Sequence, residues 1–230
     1  MPSAIAHAYL HGFASGPQAR KGRALADFYA AAGRELERPD LNRPSFAELT
    51  LGGMLEALDE MHAVRSRARR DAGLDGELRW RLIASSMGAW AAALWAQAHP
   101  GRVERAIWLC PAFDLPARWR KMLGEDAIER WQREGRLDFP DGAGRITAVG
   151  YRLIEDAATR DPAPAPTHPV WIVHGTRDAL VDIESSREYV ARHADEGRTL
   201  ELLEVDDEHV LGQSLTQIEA LAARVLLEDL

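Results

Sequence analysis

Residues 78–90 read Leu78-Arg79-Trp80-Arg81-Leu82-Ile83-Ala84-Ser85-Ser86-Met87-Gly88-Ala89-Trp90. Leu78 to Ser85 reads as a strand and Met87 to Ala98 as a helix, which Pro100-Gly101 breaks. A serine caught between a strand and a helix, with small residues two positions to either side, has the form of a nucleophile elbow. Such a turn is sharp and strained. It lifts the hydroxyl above the sheet, and bulky side chains at the two flanking positions would collide. The usual pattern is Gly-x-Ser-x-Gly. Here Ala84 takes the first position and Gly88 the last, which centres the turn on Ser86. Centring it on Ser85 would put Ile83 and Met87 at the small positions, so that register is rejected.

Working outward, the same alternation continues. Val103 to Cys110 is a strand whose Ile107-Trp108-Leu109 run suits burial on both faces. Val170 to His174 is another, Ser185 to His193 a helix, Thr199 to Val205 a strand and Thr216 to Leu227 a final helix. Upstream, Ala4 to Leu10 is a strand ending at His11-Gly12-Phe13. Gln18 to Ala32 is helical and stops at Gly33. Arg34 to Arg38 reads as a short strand, and Ser45 is placed to cap the next helix, which carries Phe46, Leu49, Met54, Leu58 and Met61. Repeated strand-helix-strand order implies an α/β fold, a mostly parallel sheet with helices on both faces.

Between Pro111 and Pro166 the alternation pauses. Trp119, Met122 and Leu123 have helical spacing, as do Ile128 and Trp131; Gly142 and Gly144 make a flexible turn, and Tyr151 to Ala158 is helical again. A segment this long is not an idle loop in a compact domain. It reads as a helical lid insertion over approximately 114–165, the alternative being extra helical packing. The apolar Trp119, Met122, Leu123 and Trp131 are its candidate substrate-binding residues, suited to an apolar acyl group.

Composition narrows the function classes. The chain has 230 residues, enough for a sizeable core, and 46 % hydrophobic residues remove it from the disordered class. Lys plus Arg number 28 against 36 Asp plus Glu, a formal charge of −8, which suits no general nucleic-acid binder. The run Arg65, Arg67, Arg69, Arg70 is read as a solvated helix end that favours its own dipole. Cys110 is the sole cysteine, so no intrachain disulfide forms; it reads as a buried thiol at a strand end. Met1 to Leu10 lacks the pattern of a signal peptide and no apolar run is long enough for a membrane span, so the expected location is cytoplasmic. No dinucleotide-binding glycine fingerprint or phosphate loop is present, so no cofactor is expected. His7 and His11 are not a zinc pair, because that spacing needs a helix. No metal is expected.

Two further segments carry chemistry. His174-Gly175-Thr176-Arg177-Asp178 follows a strand and sets Asp178 where parallel sheets place their sites, able to hold an imidazole in one tautomer. Asp182 and Asp114, also after strands, remain alternatives. Asp206-Asp207-Glu208-His209 follows the last strand and offers His209 as a general base. Ser86, Asp178 and His209 thus occur in the chain order Ser, Asp, His, each after a strand.

On these motifs the chain resembles the α/β-hydrolase superfamily over essentially its whole length. Tyr9-Leu10-His11-Gly12-Phe13, then Ser15-Gly16-Pro17 and Lys21, is similar to the opening of small bacterial YqiA-type esterases. Ser85-Ser86-Met87-Gly88-Ala89-Trp90 resembles the elbow of palmitoyl-thioesterase-like hydrolases with an inserted lid. The resemblance implies an oxyanion hole built from the backbone N–H groups of Phe13 and Met87, with His11 organising the loop. It also implies that the usual two leading strands are missing, leaving about six in one domain over 1–230. The expected function is a cofactor-free serine hydrolase acting on a small-molecule carboxylic ester or thioester. The fold also hosts carbon–carbon hydrolases, acyltransferases and non-catalytic binding modules, which remain alternatives.

Overall fold

A computed structural model describes residues 4–194 and 199–228; Met1 to Ser3, at the head of the segment searched for a signal peptide, lie outside these. In chain order the first elements are β1 (Ala4–Leu10), α1 (Arg20–Ala31), α2 (Leu51–Asp71), β2 (Leu78–Ser85), α3 (Met87–Ala98) and β3 (Val103–Leu109). An insertion follows, made of α4 (Leu115–Leu123), α5 (Glu125–Glu134), β4 (Arg136–Pro140), β5 (Ile146–Gly150) and α6 (Arg152–Ala157). The chain then returns with β6 (Val170–Gly175), α7 (Glu184–His193), β7 (Leu200–Val205) and α8 (Leu215–Ala222), which runs into a π-helical turn over Ala223–Leu227.

The main sheet has five strands in the order β1-β2-β3-β6-β7, all parallel. Its two faces are set by the period of two along each strand. On β2, Trp80, Leu82 and Ala84 join one core with α2, α3 and the insertion, whereas Ile83 joins a second core with Leu25 and Tyr29 of α1 and Ile218 and Leu221 of α8. On β3, Trp108 faces the first core, and Ile107 and Leu109 the second. This two-sided burial is why consecutive positions such as Leu82 to Ala84 and Ala106 to Leu109 are all apolar. The α/β fold expected from the sequence is the fold observed, and no helix among the described residues is long and apolar enough to cross a membrane.

Three details differ from the sequence reading. The expected strand Arg34–Arg38 shrinks to one parallel bridge, Glu37 to Ala8, with Tyr9 N–H donating to Glu37 O (2.8 Å) and Glu37 N–H to His7 O (2.9 Å). Pro39 has no N–H to extend the ladder, so five strands form the sheet and not six. Thr50, not Ser45, caps α2, its hydroxyl accepting from Gly53 N–H (3.0 Å). The insertion is not wholly helical either. β4 and β5 pair as an antiparallel hairpin, and its turn is closed by Asp141, whose carboxylate accepts from the Ala143 and Arg145 amides. The alternating exposure along Arg136–Pro140 is the strand signal that helical spacing in the preceding residues masked.

Candidate active site

Four loops at the carboxyl ends of β1, β2, β6 and β7 converge. Ser86 links β2 to α3 at φ 54°, ψ −123°, a backbone region that L residues rarely enter. The turn is tight because α3 starts against β1. A Cβ on Gly88 would lie 2.4 Å from His11 O and 2.7 Å from Leu10 O, so only glycine fits there. Ala84, in contrast, sits mid-sheet opposite Leu10 and Trp108 with its methyl buried in the core. Gly12 has the matching role on the β1 loop, since a Cβ there would come within 2.9 Å of Ser86 Cβ.

The Ser86 Oγ lies 3.0 Å from His209 Nε2, and His209 Nδ1 lies 2.6 Å from Asp178 Oδ2. A carboxylate there requires that Nδ1 carry the proton and donate it, which leaves Nε2 as the acceptor for the Ser86 hydroxyl. The Asp178 side chain is fully buried and its other oxygen accepts from the Leu180 (2.9 Å) and Val181 (2.8 Å) amides. Burial alone raises its pKa, but hydrogen bonds from His174 and His209, the charge of His209 and the Val181 amide prevail. The carboxyl is held well below the usual carboxylate range. Neither alternative acid meets His209: Asp114 caps α4 through the Ala117 amide (3.3 Å), and Asp182 accepts from Glu184 N–H (3.0 Å) in the turn before α7.

Supporting groups not singled out in the sequence surround this chain. His174 is buried at the end of β6. Its Nε2 lies 2.8 Å from Val181 O and 3.2 Å from Asp178 Oδ2, and its Nδ1 is 2.7 Å from Ser186 Oγ. The Val181 carbonyl fixes the proton on Nε2, so His174 is a second donor to Asp178. Its spacing of four from Asp178 is the signal that was available. Asp207 is likewise buried. It accepts from the Glu208, Gln213 and Ser214 amides (each 2.8 Å), which closes the loop that carries His209. His11, expected to organise its loop, accepts at Nε2 from Leu41 N–H (2.9 Å) and donates from Nδ1 to Gly12 O (3.0 Å).

Cys110, His174 and Asp178 bring potential ligand atoms within 4.8 Å of one another. They do not suit a metal. His174 is bonded through both nitrogens, and burial pushes the Cys110 thiol up to about 12, far from the thiolate a metal needs. Lys21 reaches the same buried zone, 3.5 Å from Ser85 Oγ. Desolvation pulls its ammonium down to about 8 despite the charges of Asp207 and Asp178.

Ser86 and His209 open into a cavity of about 260 Å³ under the insertion. Phe13 and Met87 line it, as do Trp119 and Met122 from α4. Leu123 and Trp131 do not. Trp131 is fully buried, stacked on Trp119 at 5.2 Å with its indole N–H on Val149 O (2.8 Å), so it holds the insertion together from behind.

The model of the uncharacterised protein family UPF0227 matches residues 6–223. No curated protein sequence matches the chain. Among solved structures, Est1E from Butyrivibrio proteoclasticus with ferulic acid bound superposes with a TM-score of 0.75 at 21 % identity, over 98 % of this chain and 89 % of its own. The α/β-hydrolase domain-containing protein 10 of mouse gives 0.70 at 18 % identity, over 96 % and 89 %. An esterase of Pyrococcus furiosus gives 0.63 at 17 %, over 96 % and 82 %. At these identities the likeness is one of fold, and the fold is that of the α/β-hydrolases.

Proposed function

The chain belongs to the UPF0227 family, and from that premise we propose that it is a serine hydrolase of small-molecule carboxylic esters or thioesters. The observation that carries this reading is the unbroken chain from Ser86 Oγ to His209 (3.0 Å) to Asp178 (2.6 Å). In the proposed reaction Ser86 attacks the carbonyl carbon while its proton passes to His209 Nε2. Asp178 orients the imidazole and stabilises its charged form. The backbone N–H groups of Phe13 and Met87 hold the oxyanion, each donor contributing about 3 kcal/mol in comparable sites. The His209 proton then goes to the departing oxygen or sulfur. Water, deprotonated by His209, releases the acid from the acyl-enzyme.

We read the chain as one domain over 1–230, with the insertion over approximately 114–165 as a lid. Trp119 and Met122 would meet the acyl group, and Leu123 and Trp131 would support them. Among the similar folds, an esterase of Pyrococcus furiosus and Est1E with ferulic acid bound agree with an ester substrate. The test is fluorophosphonate labelling and ester hydrolysis by wild type and Ser86→Ala. Labelling at Ser86, lost together with hydrolysis in the variant, supports the reading; unchanged labelling or turnover in the variant sinks it.

A further inference from the structure

The cavity beside Ser86 is lined by apolar side chains with three exceptions among the described residues: Ser86, His209 and Arg118. Two of the three belong to the proposed proton chain. Arg118 does not, and it is the lining's only permanently charged group. It projects from the first turns of α4, just after the Asp114 cap. Its Nε–H donates to Phe113 O at 2.5 Å, which pins the guanidinium plane. Among the described residues that is the side chain's sole hydrogen bond and it has no ion pair, so the two terminal NH2 groups are uncommitted.

This is a costly arrangement. Burial works against the guanidinium charge, and Asp114, Asp178, Asp182 and Glu188 favour it only from beyond ion-pair range. In the sheet itself, the buried side chains of Arg81 on β2 and Arg105 on β3 are both tied to a carboxylate, that of Glu104 (3.0 and 3.3 Å). A planar donor fork left open in an apolar pocket matches a carboxylate in the bidentate geometry that lysine cannot offer. Pockets of this kind set orientation with a few placed polar groups against an apolar wall.

We propose that Arg118 is a specificity-determining residue and that the substrate is an ester or thioester bearing a carboxylate a short apolar distance from the scissile carbonyl. This rests on the serine-hydrolase reading of the same cavity. The carboxylate can sit on the acyl group or on the leaving group, and the two sources are separable by experiment.

The experiment measures kcat/KM for wild type, Arg118→Gln and Arg118→Lys on two pairs of esters. The first pair is p-nitrophenyl hemiadipate against p-nitrophenyl heptanoate, with the carboxylate on the acyl side. The second is 4-carboxyphenyl butyrate against phenyl butyrate, with the carboxylate on the leaving side. Wild type is expected to prefer the charged member of one pair by about 10- to 100-fold, the range for a charge-assisted hydrogen bond, expressed mainly in KM. Arg118→Gln collapses that ratio toward one, and Arg118→Lys keeps part of it. The pair that shows the preference identifies the side. If wild type turns over the neutral esters and gains nothing from either carboxylate, or if Arg118→Gln keeps the ratio, the proposal is wrong while the hydrolase reading stands. If no ester is cleaved and fluorophosphonate fails to label Ser86, both are wrong.

Discussion

Asp178→Asn separates orientation of the imidazole from everything else in the site, because the amide is isosteric with the carboxylate. Two placements of the new side chain are available. In one, its oxygen keeps the Leu180 and Val181 amides and its NH2 takes the place of Oδ2, facing His209 Nδ1 at 2.6 Å and the His174 Nε2–H at 3.2 Å. That NH2 can only donate, so the His209 proton moves to Nε2 and points at Ser86, where no base remains. The loss is then of the order of 10⁴ in kcat, about 5 kcal/mol. In the flipped placement the catalytic tautomer survives, but the NH2 confronts two backbone donors, a cost of about 1–3 kcal/mol. The imidazolium also loses its counter-charge, worth about 1.5–3 kcal/mol of transition-state stabilisation, or roughly 10- to 100-fold. The expected fall therefore lies between about 10 and 10⁴. Stopped-flow acylation with a p-nitrophenyl ester, read alongside thermal unfolding, measures it. A fall under tenfold, or a larger fall in Asp114→Asn or Asp182→Asn at equal stability, would refute the assignment of Asp178.

Other expectations concern the frame of the site and its response to acid. Gly88→Ala pushes a methyl to 2.4 Å from His11 O, and both carbonyls it meets are backbone at the end of β1. It should lose about 3 kcal/mol or more in urea unfolding, whereas Gly212→Ala, which meets open space, should be near neutral. Burial holds His168 down at about 4 against an ordinary 6.5. As pH falls below 6.5 the unfolded chain takes up this proton first, so stability is lost progressively between pH 6.5 and 4, by up to about 3 kcal/mol. His168→Asn should flatten that limb of a stability-against-pH curve, leaving the smaller contributions of His11 and His62, which burial also lowers. An unchanged slope would count against it.

The parts of this molecule that could be read from its residues are those where a local pattern and a long-range demand coincide. Leu82 to Ala84 and Ile107 to Leu109 are apolar at every position because the sheet is covered on both faces, and that leaves a plain signature. The Ser86, Asp178 and His209 order is legible because each sits one turn past a strand, and strand ends converge in a parallel sheet. What could not be read depends on contacts between distant segments. Nothing local distinguishes Asp178, which receives two amides and two imidazoles, from Asp114, which caps α4, or Asp182, which accepts in the turn before α7. Trp119 on α4 and Trp131 on α5 both read as apolar helix positions, yet one stacks behind the other and only Trp119 reaches the cavity. His174, at a strand end, and Asp207, in a loop, carry no partner pattern in the sequence, because their partners lie elsewhere in the chain or in the turn that they themselves create. Arg118 carries no motif at all; its meaning comes from having no carboxylate partner in a pocket whose other lining, apart from Ser86 and His209, is apolar.

Backbone strain offers an independent argument that these loops serve chemistry and not packing alone. Among the described residues, five non-glycine positions have left-handed φ: Ala14, Ser86, Cys110, Asp114 and Leu211. All five lie in loops that follow β1, β2, β3 and β7 at the carboxyl end of the sheet. At the opposite end the left-handed positions are Gly33, Gly73, Gly76 and Gly101, so the chain uses glycine where a turn is only a turn. Each strained position costs about 1–3 kcal/mol, and such a cost persists where the surroundings enforce it. Ser86 tests the point. Exchanging alanine for glycine in an ordinary position destabilises by about 0.5–1 kcal/mol. Here the sign should reverse, because Ser86→Ala keeps a Cβ at φ 54° and Ser86→Gly does not. Both variants remove the hydroxyl that meets His209, so hydrolysis should be abolished in each, and the difference between them isolates the strain. Ser86→Gly should be more stable than Ser86→Ala by about 1–2 kcal/mol in parallel urea titrations. If Ser86→Ala proves equal or better, the elbow is relaxed, and the clustering of left-handed residues around this cavity loses its functional meaning.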